Sequence, residues 1–445
     1  QPWYDGRLGM WGVSYYGYTQ WVLADQKNPG PTALIIQESS SDMHGMFYPG
    51  GAFSLRTALY WAAMSYGRTD IIPAPEAMRR GVTVFPLITA DDRAVQDIPF
   101  FNDWASHTDR DDYWANIDGA NRPGRVQAPV LLMGGWYDPF LPTQLADYAR
   151  IRESAAPDVA QETRLVIGPW VHAAAAILPD GTEPRNFRLE CLAPTVAWFD
   201  RHLQHKQSTL APVRIYTIGT NQWRDEQEWP LARTRYTPYY LQSNGPANTA
   251  SGKGILTTSR PPHGQPADSF TYDPHDPVPT AGGAMLGSDA GAAPQFAVEA
   301  RDDVLVYSTE PLTDDLEVTG PIKLILHVAT TALCTDFTGK LVNVFPDGSA
   351  WNVSEGILRR NFTQPSNAGN TEITIDMWPT STVFKKGHRL RLEVSSSNYP
   401  RFDRNPNTGK QIAKETEPVS ATQTVFHDAE ATSRLILPII PEARK

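Results

Sequence analysis

Three short runs, TALIIQ (Thr32 to Gln37), PVLLMGG (Pro129 to Gly135) and TRLVIGP (Thr163 to Pro169), are apolar almost without interruption. A strand with one wet face alternates polar and apolar residues. One that does not alternate is buried on both faces, the situation of strands in a parallel sheet covered by helices on each side. RLGMWG (Arg7 to Gly12) is a further short apolar run, and helical spacing follows it in YYGYTQWVLAD. The same spacing predicts helices after the third strand, about Leu141 to Ser154, and after the fourth, about Pro194 to His205. Strands alternating with helices predict an α/β domain over residues 1–40 and 129–206.

The pattern changes twice. Residues 41–128 are rich in Trp, Tyr, Met and Asp without strand signals, and predict an inserted helical cap. From 207 to 445 short alternating runs recur, among them VRIYTIG, RYTPYYLQ, IKLILHVAT, GKLVNVFP and RLRLEVSSS, separated by Pro, Gly, Asn and Asp turns. They predict an all-β sandwich or jelly roll. Ser243 to Pro294, dense in Gly, Pro, Ala and Ser, predicts long surface loops within it. At 445 residues the chain exceeds what one core holds, so several domains are expected.

Charge and cysteine usage exclude some function classes. The net charge is −10 and Lys and Arg form no cluster, which argues against a nucleic-acid partner. No apolar run approaches the roughly 18 residues of a membrane span. The expectation is a soluble protein, cytoplasmic or exported, with no residue pattern that decides its oligomeric state. Cys191 and Cys334 stand far apart in unrelated contexts, giving neither a disulfide framework nor metal-ligand spacing.

The chemistry begins at GMWGVSYYGYTQW. A serine on the tight turn between a buried strand and a helix has its hydroxyl exposed, while the next backbone N–H points where an oxyanion would form. Ser14 has Gly12 two positions before it, but its second glycine, Gly17, comes one residue later than G-x-S-x-G requires. A nucleophilic serine needs a base and an acid that orients the base, and in this topology both follow at strand C-termini in the order Ser, Asp, His. Asp138 follows the third strand in GGWYDPF and His172 the fourth in GPWVHAA. The plainer readings are that Asp138 caps the next helix and that His172 is a satisfied strand-end histidine. The remaining histidines follow no strand of the sheet. DRDDYW (Asp109 to Trp114) reads as helix-start chemistry with an apolar anchor, and DPHDP (Asp273 to Pro277) as a proline-rich loop.

DGRLGMWGVSYYGYTQW, YPGGAF, GGWYD, GPWVH, TNQWRDEQEWP, DFTGKLVNVFPDG and GILRRNF together resemble the CocE/NonD-type serine hydrolases, which include esterases, acylases and X-Pro dipeptidyl-peptidases. The resemblance covers nearly the whole chain. It implies an α/β-hydrolase domain with a helical cap and a C-terminal jelly roll, and a G-x-S-Y-x-G elbow that Gly12, Ser14, Tyr15 and Gly17 fit. It also implies Asp138 as acid, His172 as base and the Tyr15 N–H as one oxyanion donor, with a small ester or amide substrate and neither cofactor nor metal. Phe53, Tyr60, Trp61, Trp104 and Trp136 are candidates for the substrate pocket, and Asp111 and Asp112 could be argued to hold a substrate ammonium. The family places the first strands of the sheet and a second oxyanion donor ahead of the elbow, so an N-terminal segment or second chain is expected to supply them. Two alternatives stay open: an X-Pro dipeptidyl-peptidase, and an inert relative that only binds ligand or carbohydrate.

Overall fold

The computed structural model describes residues 2–441 apart from 3, 28–29, 67–74, 208–209 and 364. The chain divides into two compact units, one of Gln1–Met46 with Arg110–Ala232 and the other of Phe47–Asp109 with Arg233–Lys445.

Six strands form the sheet of the first unit: β1 (Gly9–Val13), β2 (Ala33–Gln37), β3 (Val130–Gly135), β4 (Arg164–Gly168), β5 (Val213–Thr217) and β6 (Gln222–Glu226). They lie side by side in chain order. The first five are parallel, and β6 turns back antiparallel on β5. Every residue of β2 and β3 is buried, as their unbroken apolar runs require. Val13 lies opposite Gln37, Gln37 opposite Met133, and Gly135 opposite Gly168, so the carboxyl ends of β1 to β4 finish along one edge. Helices α1 (Tyr15–Leu23), α2 (Leu141–Ser154) and α3 (Phe187–Gln204) follow β1, β3 and β4. Cys191 and Trp198 of α3 pack with Ile35, Leu131, Met133 and Val166.

Two boundaries differ from expectation. VRIYTIG, expected in the sandwich, forms β5, which pairs in parallel with β4 through Leu165 and Val213. A five-residue strand carries the same pattern in either sheet, so only its partner assigns it. Helix α3 begins at Phe187, not near Pro194, because the Asn186 side chain accepts the Arg188 N–H (3.0 Å) and caps it, leaving Pro194 inside the helix.

In the second unit, eleven strands make one large, mostly antiparallel sheet, with Leu316–Thr330 and Ser366–Phe384 as its longest pair. Leu324, Leu326, Phe337, Leu341, Ile375, Phe384, Leu392 and Leu437 are fully buried in its core. Ser243 to Pro294 is not simply loop: Gly254–Thr257 and Asp268–Tyr272 are strands within it. Phe270 and Tyr272 turn inward on alternate positions there.

The cap expected over 41–128 does not form a unit of its own. Its central part, with helices Leu55–Ser65, Pro75–Val82 and Pro99–Ser106, groups with the β strands, whereas residues 41–46 and 110–128 belong to the first unit. A buried polar bridge accounts for the attachment. The Phe53 N–H donates to Asp403 (2.9 Å), and the Arg359 guanidinium is shared between Asp403 (2.8 and 3.0 Å) and Asp336 (2.7 and 2.8 Å). Ala52 packs with Ile357 and Phe402 beside it. Together the elements are those of an α/β hydrolase with a helical insertion and a C-terminal antiparallel β domain.

Candidate active site

Ser14 occupies the single residue between β1 and α1, with φ 58° and ψ −123°. A non-glycine residue at positive φ is strained, and such strain concentrates where a side chain has to be aimed. The turn is held from two sides: the Ser14 N–H donates to the Gln37 carbonyl (2.9 Å), and the Ser14 carbonyl accepts the N–H groups of Gly17 and Tyr18 (2.9 and 3.0 Å). Tyr15 opens α1, so its N–H belongs to the helix's first turn of donors.

The late glycine has a steric cause. Tyr16, where the shorter motif would have glycine, is 70% exposed and meets no neighbour that excludes a side chain. At Gly17 an added Cβ would stand 2.7 Å from the Ser39 Cβ, so α1 and the loop after β2 touch there. At Gly12 it would stand 2.5 Å from the Tyr16 Cβ. The elbow therefore needs small residues at 12 and 17 and tolerates tyrosine at 16.

Asp138 and His172 meet. The His172 Nδ1 lies 2.6 Å from Asp138 Oδ2, and the carboxylate is wholly buried while the imidazole keeps 14% of its surface open. Asp138 Oδ1 accepts the Phe140 N–H (2.8 Å) just before α2. The residue thus makes the local capping bond as well, which fixes its carboxylate and leaves Oδ2 for the histidine. The Phe140 ring lies 5.7 Å from the imidazole. Level strand ends bring the turns carrying Ser14, Asp138 and His172 to the same sheet edge.

A second acidic group, Glu38, stands here that no sequence motif marks. Glu38, directly after β2, is fully buried at φ 44°. Its Oε2 accepts the Ala173 N–H (2.5 Å) and lies 3.9 Å from His172 Nδ1. Burial, and then the nearby Asp138 charge, hold this carboxyl well above the usual carboxylate range. The stretch Gln37 to Ser41, QESSS, is all polar, yet all five residues are buried. Asp147 of α2 holds it, accepting the Ser40 hydroxyl (2.8 Å), the Ser41 N–H (2.8 Å) and the Ser41 hydroxyl (2.6 Å). Burial outweighs those bonds and pushes the Asp147 carboxyl up to about 7. Glu38, Asp138 and His172 offer three ligand atoms within 4.8 Å of one another, but a cation there would have to displace the Asp138–His172 hydrogen bond.

The five aromatic candidates are divided between the two units. Phe53, Trp61 and Trp104 belong to an aromatic stack in the second unit, where Trp61 lies 5.5 Å from Trp104 and Phe53 5.9 Å from Phe101. Tyr60, beside Trp61 on the same helix, keeps part of its surface open. Trp136 sits in the first unit, buried against Trp229, with its indole N–H on the Tyr216 carbonyl (2.7 Å). Asp111 caps the short helix Asp112–Ala115 through the Tyr113 N–H, and Trp114 anchors it, buried. In DPHDP, Asp273 accepts the His275 N–H (2.9 Å) and Asp276 pairs with Arg301. Cys191 and Cys334 are free and buried, and burial raises both thiols.

Comparison with known proteins agrees with this layout. Residues 1–174 match the X-Pro dipeptidyl-peptidase (S15 family), and residues 205–436 match the X-Pro dipeptidyl-peptidase C-terminal non-catalytic domain. The chain is 38% identical to the cocaine esterase of a Rhodococcus species, over 99% of this chain and 82% of that one. Among solved structures, an aminopeptidase from a marine-sediment Thaumarchaeota archaeon superposes with a TM-score of 0.83 at 24% identity, over 98% of this chain and 77% of that one. An α-amino acid ester hydrolase superposes with a TM-score of 0.79 at 22% identity, over the same shares. No helix among the described residues is long and apolar enough to cross a membrane.

Proposed function

The chain belongs to the S15 and cocaine-esterase family of serine hydrolases, and on that premise we propose that it cleaves a carboxylic ester or amide through an acyl-enzyme formed on Ser14. The observation that carries this reading is the buried Asp138 carboxylate 2.6 Å from His172 Nδ1, at the sheet edge where Ser14 sits in a strained turn. The bond to Asp138 places the proton on Nδ1 and leaves Nε2 as the basic nitrogen. His172 Nε2 takes the Ser14 hydroxyl proton as the oxygen attacks the carbonyl, then returns it to the leaving alcohol or amine. In the second half-reaction a water is deprotonated in the same way and releases the acid. The Tyr15 N–H, at the positive end of α1, supplies one oxyanion donor.

The cocaine esterase relative favours an ester, while the S15 match keeps X-Pro amides as the competing substrate class. Labelling with a fluorophosphonate, followed by turnover of a short p-nitrophenyl ester and of an X-Pro amide, tests the reading. Labelling that disappears in Ser14→Ala, with ester turnover above amide turnover, is expected. A Ser14→Ala variant that still turns over would overturn it.

A further inference from the structure

A second carboxyl beside a serine hydrolase's Asp–His pair calls for a reason. Two ionised carboxylates against one imidazole would hold that imidazole protonated and unable to act as a base. Burying a carboxyl without a task is also costly. We propose that Glu38 is a positioning residue for His172, acting as the acceptor that holds the Ala173 N–H. The proposal rests on the triad reading above.

Geometry carries it. Glu38 and Ala173 both stand at positive φ, 44° and 58°, and the 2.5 Å bond from the Ala173 N–H to Glu38 Oε2 joins these two strained turns. That bond ties the residue after the base to the end of β2, and Asp147 holds the same loop two and three residues further on through Ser40 and Ser41. The imidazole is thus located from both sides, by Asp138 through Nδ1 and by Glu38 through the next peptide. The titratable groups facing Glu38 are Asp138 before α2, His172 after β4 and Cys191 of α3. Against Asp138, a neutral Glu38 leaves the histidine one negative partner and its basicity intact. Glu38 touches no reacting atom and acts through the peptide plane that orients His172.

The test compares Glu38→Gln and Glu38→Ala in steady-state ester hydrolysis between about pH 5 and 9. Glutamine keeps an uncharged acceptor of the same shape, so kcat should stay within about threefold of wild type and the acid limb of the profile should not move. Alanine leaves the Ala173 N–H without its acceptor and frees the turn, so kcat should fall about 10²-fold with KM little changed. An Ala variant within about threefold of wild type, or a Gln variant as impaired as Ala, would overturn the proposal. So would an acid limb displaced in the Gln variant, since that means Glu38 carries charge beside His172. If the Ala variant does not fold, the Gln variant's kcat and acid limb decide alone. The two readings fail separately. Turnover surviving in Ser14→Ala removes the triad, whereas an inactive Ser14→Ala beside a fully active Glu38→Ala removes only this role.

Discussion

Replacing Asp138 by asparagine isolates what the buried carboxylate does for His172. The change is nearly isosteric, and the asparagine oxygen can still accept the Phe140 N–H, so the loop before α2 keeps its cap. What is lost is the charge facing Nδ1, at present in a 2.6 Å hydrogen bond inside a fully buried site. With charge centres about 4 Å apart and an effective dielectric near 20, a carboxylate and the imidazolium formed in the transition state attract by about 4 kcal/mol. At about 1.4 kcal/mol per decade that is a factor of about 10³ in rate. The side-chain amide N–H2 turned toward Nδ1 also selects the tautomer with its proton on Nε2, where it blocks the base. The same exchange in the chymotrypsin-type triad costs about 10⁴. Asp138→Asn should therefore lower kcat by about 10³ to 10⁴, with KM changed far less and thermal unfolding near wild type. Release of p-nitrophenol in single-turnover mode reads acylation directly. A loss below about tenfold in a folded variant would refute the reasoning, because the histidine would then not depend on this carboxylate.

Three further outcomes follow from packing and charge. Gly17→Ala puts a Cβ 2.7 Å from the Ser39 Cβ and 3.3 Å from the Gln37 carbonyl oxygen, so it should cost about 1–3 kcal/mol in urea unfolding and slow fluorophosphonate labelling. An unchanged midpoint would show that the elbow has room. Asp147, whose folded carboxyl stands near 7 against an ordinary 3.8, binds its proton more tightly folded than unfolded. Its contribution is complete below about pH 4 and is lost as pH rises toward and through about 7, by up to about 4 kcal/mol. The stability difference between wild type and Asp147→Asn should therefore shrink or reverse across that window, and parallel curves would contradict the assignment. Arg359→Met leaves Asp336 and Asp403 buried without their shared cation, which should destabilise the second unit by about 3–5 kcal/mol. A cost under about 1 kcal/mol in chemical denaturation would mean that the bridge contributes little.

Residues whose environment is set by their own neighbours were legible in the sequence. β2 and β3 announce themselves because a strand buried on both faces carries no polar alternation. Asp138 and His172, whose side chains meet, stand out in the sequence because a strand end is a place that the preceding apolar run defines. Glu38 does not, since its surroundings come from Ala173 and Asp138, far away in the chain, and its own neighbours spell a polar loop. The pairing of β5 with β4 is not legible for a related reason: five alternating residues do not say which sheet will pair with them. The N-terminus of α3 was misplaced because Pro194 is a stronger local signal than the Asn186 cap that sets it.

The bond from the Phe53 amide to Asp403 bears on how such enzymes can be recombined. A chimera that exchanges only the C-terminal domain with a relative would part Phe53 from Asp403 and leave both to the stranger's chemistry. The heritable block is discontinuous: residues 47–109 have to travel with 233–445. A crossover chosen by reading the sequence linearly would cut through it.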